Sequence, residues 1–356
     1  MNKPFSDLKV IELAGVLAGP SAGLFFAELG AKVIKIENPK TGGDVTRSWK
    51  LKTENQTDEA SAYFWSVNAG KEILFLNLSL EKDLQLFYEL IKTTDILITN
   101  YKLGDDLKLK VDYETLKAIK PDLIYASING FGYNNPRTAY DLILQAESGF
   151  MFMNGEKNDA PLKMPVALID ILAGHQLKEA ILIALLNKYK TNKGSNITVS
   201  LFDTAVASLA NQATNWLIAH HLPIAQGSLH PNIAPYGEIF TTKDSHQITF
   251  AIGSDKQFKH LCEILNLDLH ACPEFKNNQL RVSNRINLFS KLNNSIQLLN
   301  FDLIFSECLK HEVPIGKIRN LKEVFELPEA KSLLNEFSYQ DKTISSVNSI
   351  SFKFKQ

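Results

Sequence analysis

The sequence predicts an α/β protein whose larger part holds a parallel sheet, and three observations carry that reading. Short β-branched runs alternate with helical stretches through the first 200 residues, the pattern of strands joined by crossover helices. Each crossover from strand through helix to strand implies parallel pairing of right-handed connection. Near residues 225–236 the composition turns rich in Gly, Ser, His, Pro and Asn. The segment beyond that linker reads as a second, smaller α+β domain.

Residues 8–14 have strand character, Gly15 to Pro20 read as a turn, and a helix rich in small residues runs from there to Leu29. Gly30 and Ala31 end it, and residues 32–37 give the second strand of a βαβ unit. The pattern continues with a strand at 73–78, a helix at 81–93, a strand at 95–99, a helix at 112–119 and a strand at 122–128. An apolar run from Pro165 to Ile169 leads into a helix over 171–190, then a strand at 197–201 and a helical stretch at 203–221. Residues 236–252 predict a β-hairpin turning at Lys243, Asp244 and Ser245, with helices following at 255–265 and 281–310. The organisation expected is a large domain from 1–200 completed by 330–356, a linker helix at 201–225 and a small domain at 226–329.

The chain has 356 residues, 45% hydrophobic and 22% charged, with a formal net charge of −1. That length accommodates about two domains. The even charge gives no basic face for a nucleic acid. Cys262, Cys272 and Cys308 are odd in number and far apart, which reads as reduced thiols in a cytoplasm rather than a disulfide framework. No Cys/His spacing suggests a metal. The residues from Met1 onward contain no signal-peptide block, and the longest apolar helix is interrupted by Lys178 and Glu179, so no membrane association is expected. Gly15, Gly19 and Glu37 do not make a dinucleotide-binding fingerprint. They suit a bulky ligand lying close to the backbone at the end of strand one.

Asp170 stands at the junction between the 165–169 run and the long helix. There the unpaired N–H groups of the first turn and the helix dipole favour the ionised carboxylate and lower its pKa. Such a group either caps the helix or attacks an acyl carbon, and local sequence leaves both open. His175, five residues on, falls roughly 140° around the helix from it.

Four segments, in matching order over about residues 5–330, carry a resemblance. They are Leu17 to Pro20 with Leu29 to Glu37, then Tyr125 to Gly132 with Tyr140 to Gly149, the Asp170 segment, and Pro235 to Gly237 through Thr242 to Asp244. Together they resemble the family III CoA-transferases, the CaiB/BaiF type that includes the carnitine, bile-acid and formyl-CoA transferases. The resemblance implies a Rossmann-like large domain, an interlocked ring-like homodimer, and transfer of coenzyme A between an acyl-CoA and a carboxylic acid. It makes Asp170 the nucleophile, acting through an acyl-aspartyl anhydride and an aspartyl-CoA thioester. CoA and acyl-CoA are then substrates, with no permanently bound cofactor.

The same resemblance assigns coenzyme A contacts to Val16, Leu17, Ala18, Lys71, Asn100, Tyr101, Lys102, Lys108, Tyr140 and Asp141. Tyr140 would wall the thioester, and Asp141 would bond the pantetheine arm or active-site backbone. Racemases of the same superfamily carry His where Tyr140 stands, and a phenol is a poor base at neutral pH. An α-methylacyl-CoA racemase-like isomerase is therefore the runner-up, and a degenerate CoA-binding paralogue a third reading. Ala69, Glu72 and Asn38 replace arginines common in relatives. The chain also stops at Gln356, short of a closing segment frequent in the family, which would weaken the large domain or alter dimer contacts.

Overall fold

The computed structural model describes residues 3–132, 135–339 and 342–353. Met1 and Gln356, read above from sequence, lie outside them. In chain order the elements begin with β1 (Lys9–Glu12), α1 (Ala18–Glu28), β2 (Lys32–Glu37), α2 (Ala62–Asn68), β3 (Glu72–Phe75), α3 (Glu81–Ile91) and β4 (Ile96–Thr99). There follow α4 (Asp105–Lys108), α5 (Tyr113–Ile119), β5 (Ile124–Asn129), α6 (Asp141–Glu147), α7 (Phe150–Met153), α8 (Leu168–Thr191), β6 (Ser195–Ser200), α9 (Leu201–Ala207) and α10 (Ala210–Ala219). Next come β7 (Tyr236–Thr241), β8 (Gln247–Ala251), α11 (Asp255–Ile264), α12 (Asn278–Ser283), α13 (Arg285–Ile296), α14 (Phe301–Lys310) and β9 (Ile315–Lys317). The last are α15 (Leu321–Glu326), α16 (Pro328–Lys331), β10 (Leu334–Tyr339) and β11 (Lys342–Val347).

Two compact units result, one from residues 1–154, 161–223 and 332–356, the other from 155–160 and 224–331. The first is an α/β fold around six parallel strands in the order β3-β2-β1-β4-β5-β6. The order reverses between β1 and β4, and such a switch point opens a crevice at the strands' carboxyl ends. Central strands are covered on both faces: Val10, Ile96, Ile98 and Ile124 pack into one core, Ile11, Leu97 and Leu123 into another.

α8 buries Ile169, Ala173, Leu177, Ile181 and Ala184, a stripe at helical spacing. It meets α1 at Gly174, where an added Cβ would lie 2.0 Å from Ser21 Oγ and 2.9 Å from the Ala18 carbonyl. That approach sets the distance between the starts of the two helices. The C-terminal hairpin of β10 and β11 packs on α2, with Trp65 against Phe337 and Tyr339.

The second unit has an antiparallel sheet of β7, β8 and β9 against helices, around Phe240, Phe250, Phe258, Leu261 and Ile304. Its hairpin turns where expected, with Asp244 accepting from Thr242 Oγ1 at 2.6 Å and the Phe301 amide at 3.0 Å. The helix read over 281–310 is three helices, broken at Asn284 and over 297–300; Asn favours caps over helix interiors. The stretch 203–221 likewise breaks between α9 and α10. Gly19 and Pro20 lie inside α1 rather than in a turn, which Pro tolerates because first-turn amides have no intrahelical acceptor.

Gly174→Ala should lower stability by about 1–3 kcal/mol, because α1 must move off α8 to admit the methyl group. The urea midpoint would fall at unchanged slope. An unchanged midpoint would show that the two helices separate without cost.

Candidate active site

The crevice at the switch point is a cleft of about 430 Å³ within the first unit. Its walls come from Gly15–Ala18 after β1, Thr99–Gly104 after β4, Ile128–Gly130 at the end of β5, Tyr140, and Asp170 on α8. Residues far apart in sequence meet here because parallel strands place every following loop at one sheet edge.

The loop after β1 is held from beneath by buried charges. Glu12 and Lys35 are register partners on β1 and β2. Lys35 Nζ lies 3.1 Å from Glu12 Oε1, 3.1 Å from Asp44 Oδ2 and 2.6 Å from the Ala14 carbonyl. Burial alone would lower the lysine's pKa, but Glu12 and Asp44 reverse this and raise it. Asp44 takes the Val16 amide at 3.1 and 3.3 Å, and the Thr46 amide and hydroxyl at 3.0 and 2.8 Å. Its burial is outweighed by Lys35 and Thr46, so it titrates below the usual range. Asn100 clamps Gly15, accepting from its N–H at 3.0 Å and donating to its carbonyl at 2.9 Å. Between these grips Val16 has φ +69°. For a β-branched residue that region is a true outlier, costing on the order of 1–3 kcal/mol.

Asp170 is 7% exposed. It is not the helix cap: Ala167 is, without a side-chain bond, and Asp170 is the third helical residue. The capping is done from another element. Asp141 Oδ1 accepts the amide of Ile169 at 2.7 Å and, more weakly, that of Asp170 at 3.4 Å. Its Oδ2 accepts from Gln145 at 2.6 Å. The sequence implied a lowered pKa for Asp170, and the structure reverses that. Burial first, then the Asp141 charge, push it from 3.8 up to about 7. The amides that would have stabilised its carboxylate are taken by Asp141. Tyr63 joins the group, its phenol pushed up to about 12 by burial and then by Asp170, Asp141 and Asp44.

Of the residues singled out from sequence, Val16, Leu17, Ala18, Asn100, Tyr101, Lys102, Tyr140 and Asp170 all line the cleft. Tyr140 is 51% exposed there. Others serve differently from what was expected. Lys71 is buried, its Nζ within 3.0 Å of Glu12, Asn68 and the Pro20 carbonyl, with no reach to a ligand phosphate. Burial, partly offset by Glu12, lowers its pKa to about 8. Asn100 spends both ends of its amide on Gly15. Lys108 is exposed, pairs with Asp105 at 2.9 Å and lines a separate recess. Asp141 holds the start of α8, the backbone role that was one of its two expectations. His175 is exposed.

Sequence reasoning missed Asp44, Lys35, Tyr63 and Arg137. Arg137 lines the cleft, stacks 4.0 Å from the Phe131 ring and pairs with Glu147. Glu12 did leave a signal: a carboxylate inside the buried run from Val10 to Ala14 needs a buried partner. Among the described residues no group of three or more His, Cys, Asp or Glu side chains is placed to hold a metal ion. Nor is any helix among them long and apolar enough to cross a membrane.

Comparison with known proteins agrees with this architecture. Residues 5–355 match the family model CoA-transferase family III, and the chain belongs to that family. It is 37% identical over 350 residues to a succinate–glutarate CoA-transferase of Agrobacterium fabrum, covering 96% of this chain and 87% of that protein. It is 36% identical over 336 residues to a human succinyl-CoA:glutarate CoA-transferase, covering 92% and 74%. A crystal structure of a CaiB/BaiF family protein from Brucella suis superimposes with a TM-score of 0.86 at 36% identity, over 99% and 93% of the two chains. The protein is thus a CoA-transferase, moving coenzyme A between an acyl-CoA donor and a carboxylic acid acceptor.

The raised pKa of Asp170 has a stability consequence. Its protonated form is favoured by folding, so that contribution is complete below pH 3.8 and lost as pH rises through about 7. Asp170→Asn should therefore be more stable than the wild type above neutrality, by on the order of 2–4 kcal/mol, and the gap should close toward acid pH. Denaturant melts at several pH values test this; a gap independent of pH would contradict the buried-acid assignment.

Proposed function

We propose that Asp170 is the covalent nucleophile of this CoA-transferase. The observation that carries the reading is a buried carboxyl group, lifted toward neutrality, on the wall of the cleft that also receives the first turn of α1. A carboxylate of higher pKa is the better nucleophile, while about half remains ionised near pH 7. Its Oδ attacks the thioester carbon of acyl-CoA; the C–S bond breaks and CoA leaves as the thiolate, giving a mixed anhydride. The thiolate then attacks the aspartyl carbon and releases the donor acid as a carboxylate. The acceptor carboxylate attacks the resulting aspartyl-CoA thioester, forming a second anhydride and freeing the thiolate once more. Attack of that thiolate on the acyl carbon yields the new acyl-CoA and restores Asp170. No net proton moves.

Each attack builds an oxyanion, which backbone amides stabilise. Leu17 and Ala18, at the start of α1, lie where helix amides lack intrahelical acceptors and are the proposed donors. Lys102 and Arg137 are the proposed partners of the CoA phosphates, and Tyr140 walls the thioester. Dicarboxylic acids, with succinyl-CoA as donor, are the substrates that the names of the relatives support. A homodimer is supported by apolar side chains left open in the first unit: Ile183, Leu186 and Tyr189 on α8, and Trp216, Leu217 and Ile218 on α10. The three free thiols support a reducing cytoplasm. The isomerase alternative would need Tyr140 as a base, and a phenol suits that poorly.

The direct test traps the intermediate. After incubation with succinyl-CoA and treatment with hydroxylamine, the tryptic peptide 164–178 should carry a hydroxamate at Asp170. Asp170→Asn should lose turnover by roughly three orders of magnitude or more while still binding CoA. A variant that keeps its turnover, or a hydroxamate elsewhere, would overturn the assignment; CoA binding by the wild type without acylation would favour the degenerate paralogue. On the free enzyme, kcat/KM should fall below about pH 7. Asp141→Asn should move that limb to lower pH, since it deletes the neighbouring negative charge.

A further inference from the structure

We propose that Asp44, locked in place by Lys35, is a positioning residue for the transfer reaction, holding Val16 in the left-handed conformation that aims the Leu17 and Ala18 amides at the reacting carbonyl. The inference rests on the reading of Asp170 as nucleophile and deepens it. Three observations carry it independently of that reading. Val16 has φ +69°, a conformation glycine adopts freely and valine resists. Its amide is gripped by both Asp44 oxygens, at 3.1 and 3.3 Å. Asp44 is itself fixed from every side: Lys35 Nζ at 3.1 Å, the amide and hydroxyl of Thr46, and its own amide bonded to Glu37 Oε2 at 3.2 Å. Glu37 in turn pairs with Arg47 at 2.6 and 3.1 Å.

A purely structural turn would place glycine at position 16 and dispense with the buried ions, which are rarely the most stable solution for an interior. Here strain and buried charge are concentrated beneath one loop, and that loop lines the Asp170 cleft. Strain held by an over-determined network is a means of pre-organising donors before charge develops. The carboxylate is well suited to the task. It accepts from Val16, Thr46 and Lys35 at once, whereas an asparagine in its place would offer one acceptor oxygen and an amide that cannot accept.

Asp44→Asn should lower kcat by about 10- to 100-fold, with KM for succinyl-CoA changed by less than about threefold. The discriminating experiment adds Val16→Gly to Asp44→Asn. Glycine reaches the left-handed region without a clamp, so kcat should recover at least about tenfold while the melting temperature stays low or drops further. Recovery of melting temperature without kcat, or an unchanged single-turnover acylation rate per folded Asp44→Asn enzyme, would reduce Asp44 to a stabilising residue and overturn the proposal. Should Asp44→Asn fail to fold, Lys35→Met with Asp44→Asn, which removes the buried lysine charge together with the carboxylate it faces, carries the same comparison. The hydroxylamine adduct is mapped in parallel on the wild type. An adduct on another residue would sink the Asp170 assignment alone, because the Val16→Gly rescue still reports on the clamp.

Discussion

Two buried lysines and two buried carboxylates beneath the end of β1 set the geometry from which the rest of the site follows. Removing such ions from water costs several kcal/mol each unless they are paired and hydrogen-bonded. Pairing here is complete enough to tie five segments together. Glu12 on β1 receives Lys35 from β2 and Lys71 from the turn after α2. Lys71 also reaches the Pro20 carbonyl in the first turn of α1, and Lys35 reaches Asp44 and the Ala14 carbonyl. Gly23 is required above Glu12, since a Cβ there would come within 1.9 Å of Oε2. An apolar core would hold the same strands together but would specify neither the loop after β1 nor the seating of α1.

Above this base, a second electrostatic arrangement governs Asp170. A helix start ordinarily favours a nearby carboxylate. In this fold Asp141 takes that favourable position, accepting the first free amides of α8 from the neighbouring helix. Asp170 is left in the first turn without those amides, buried and beside a like charge. The two carboxyl groups thereby acquire different tasks: Asp141 orders the backbone, and Asp170 sits nearer neutrality than a free acid.

Much of the fold was legible before any coordinates. Alternation of strand and helix periods from residue 8 to residue 128 implied the parallel sheet, and the 243–245 turn was readable from its hairpin. The family segments brought Asp170, Tyr140 and the 16–18 loop to one place. Element breaks were less legible. Asn284 and the pair of helices over 201–219 interrupt apolar patterns that continue through them, because tertiary packing rather than periodicity decides where a marginal helix stops. Lys71 was misjudged for a related reason. A lysine near a ligand segment reads as a phosphate contact, and only a long-range partner 59 positions away in sequence, Glu12, makes it a core residue.

The sequence alone therefore determined the layer architecture, the family and the nucleophile candidate, since each is written in local period, spacing or motif. The tertiary structure decided the sign of the Asp170 shift, the employment of Lys71 and Asn100 inside the protein, and the placement of Asp44 beneath Val16. Those outcomes depend on burial and on which charges lie within a few ångströms. Both are sums over the whole fold, and no window of sequence contains them.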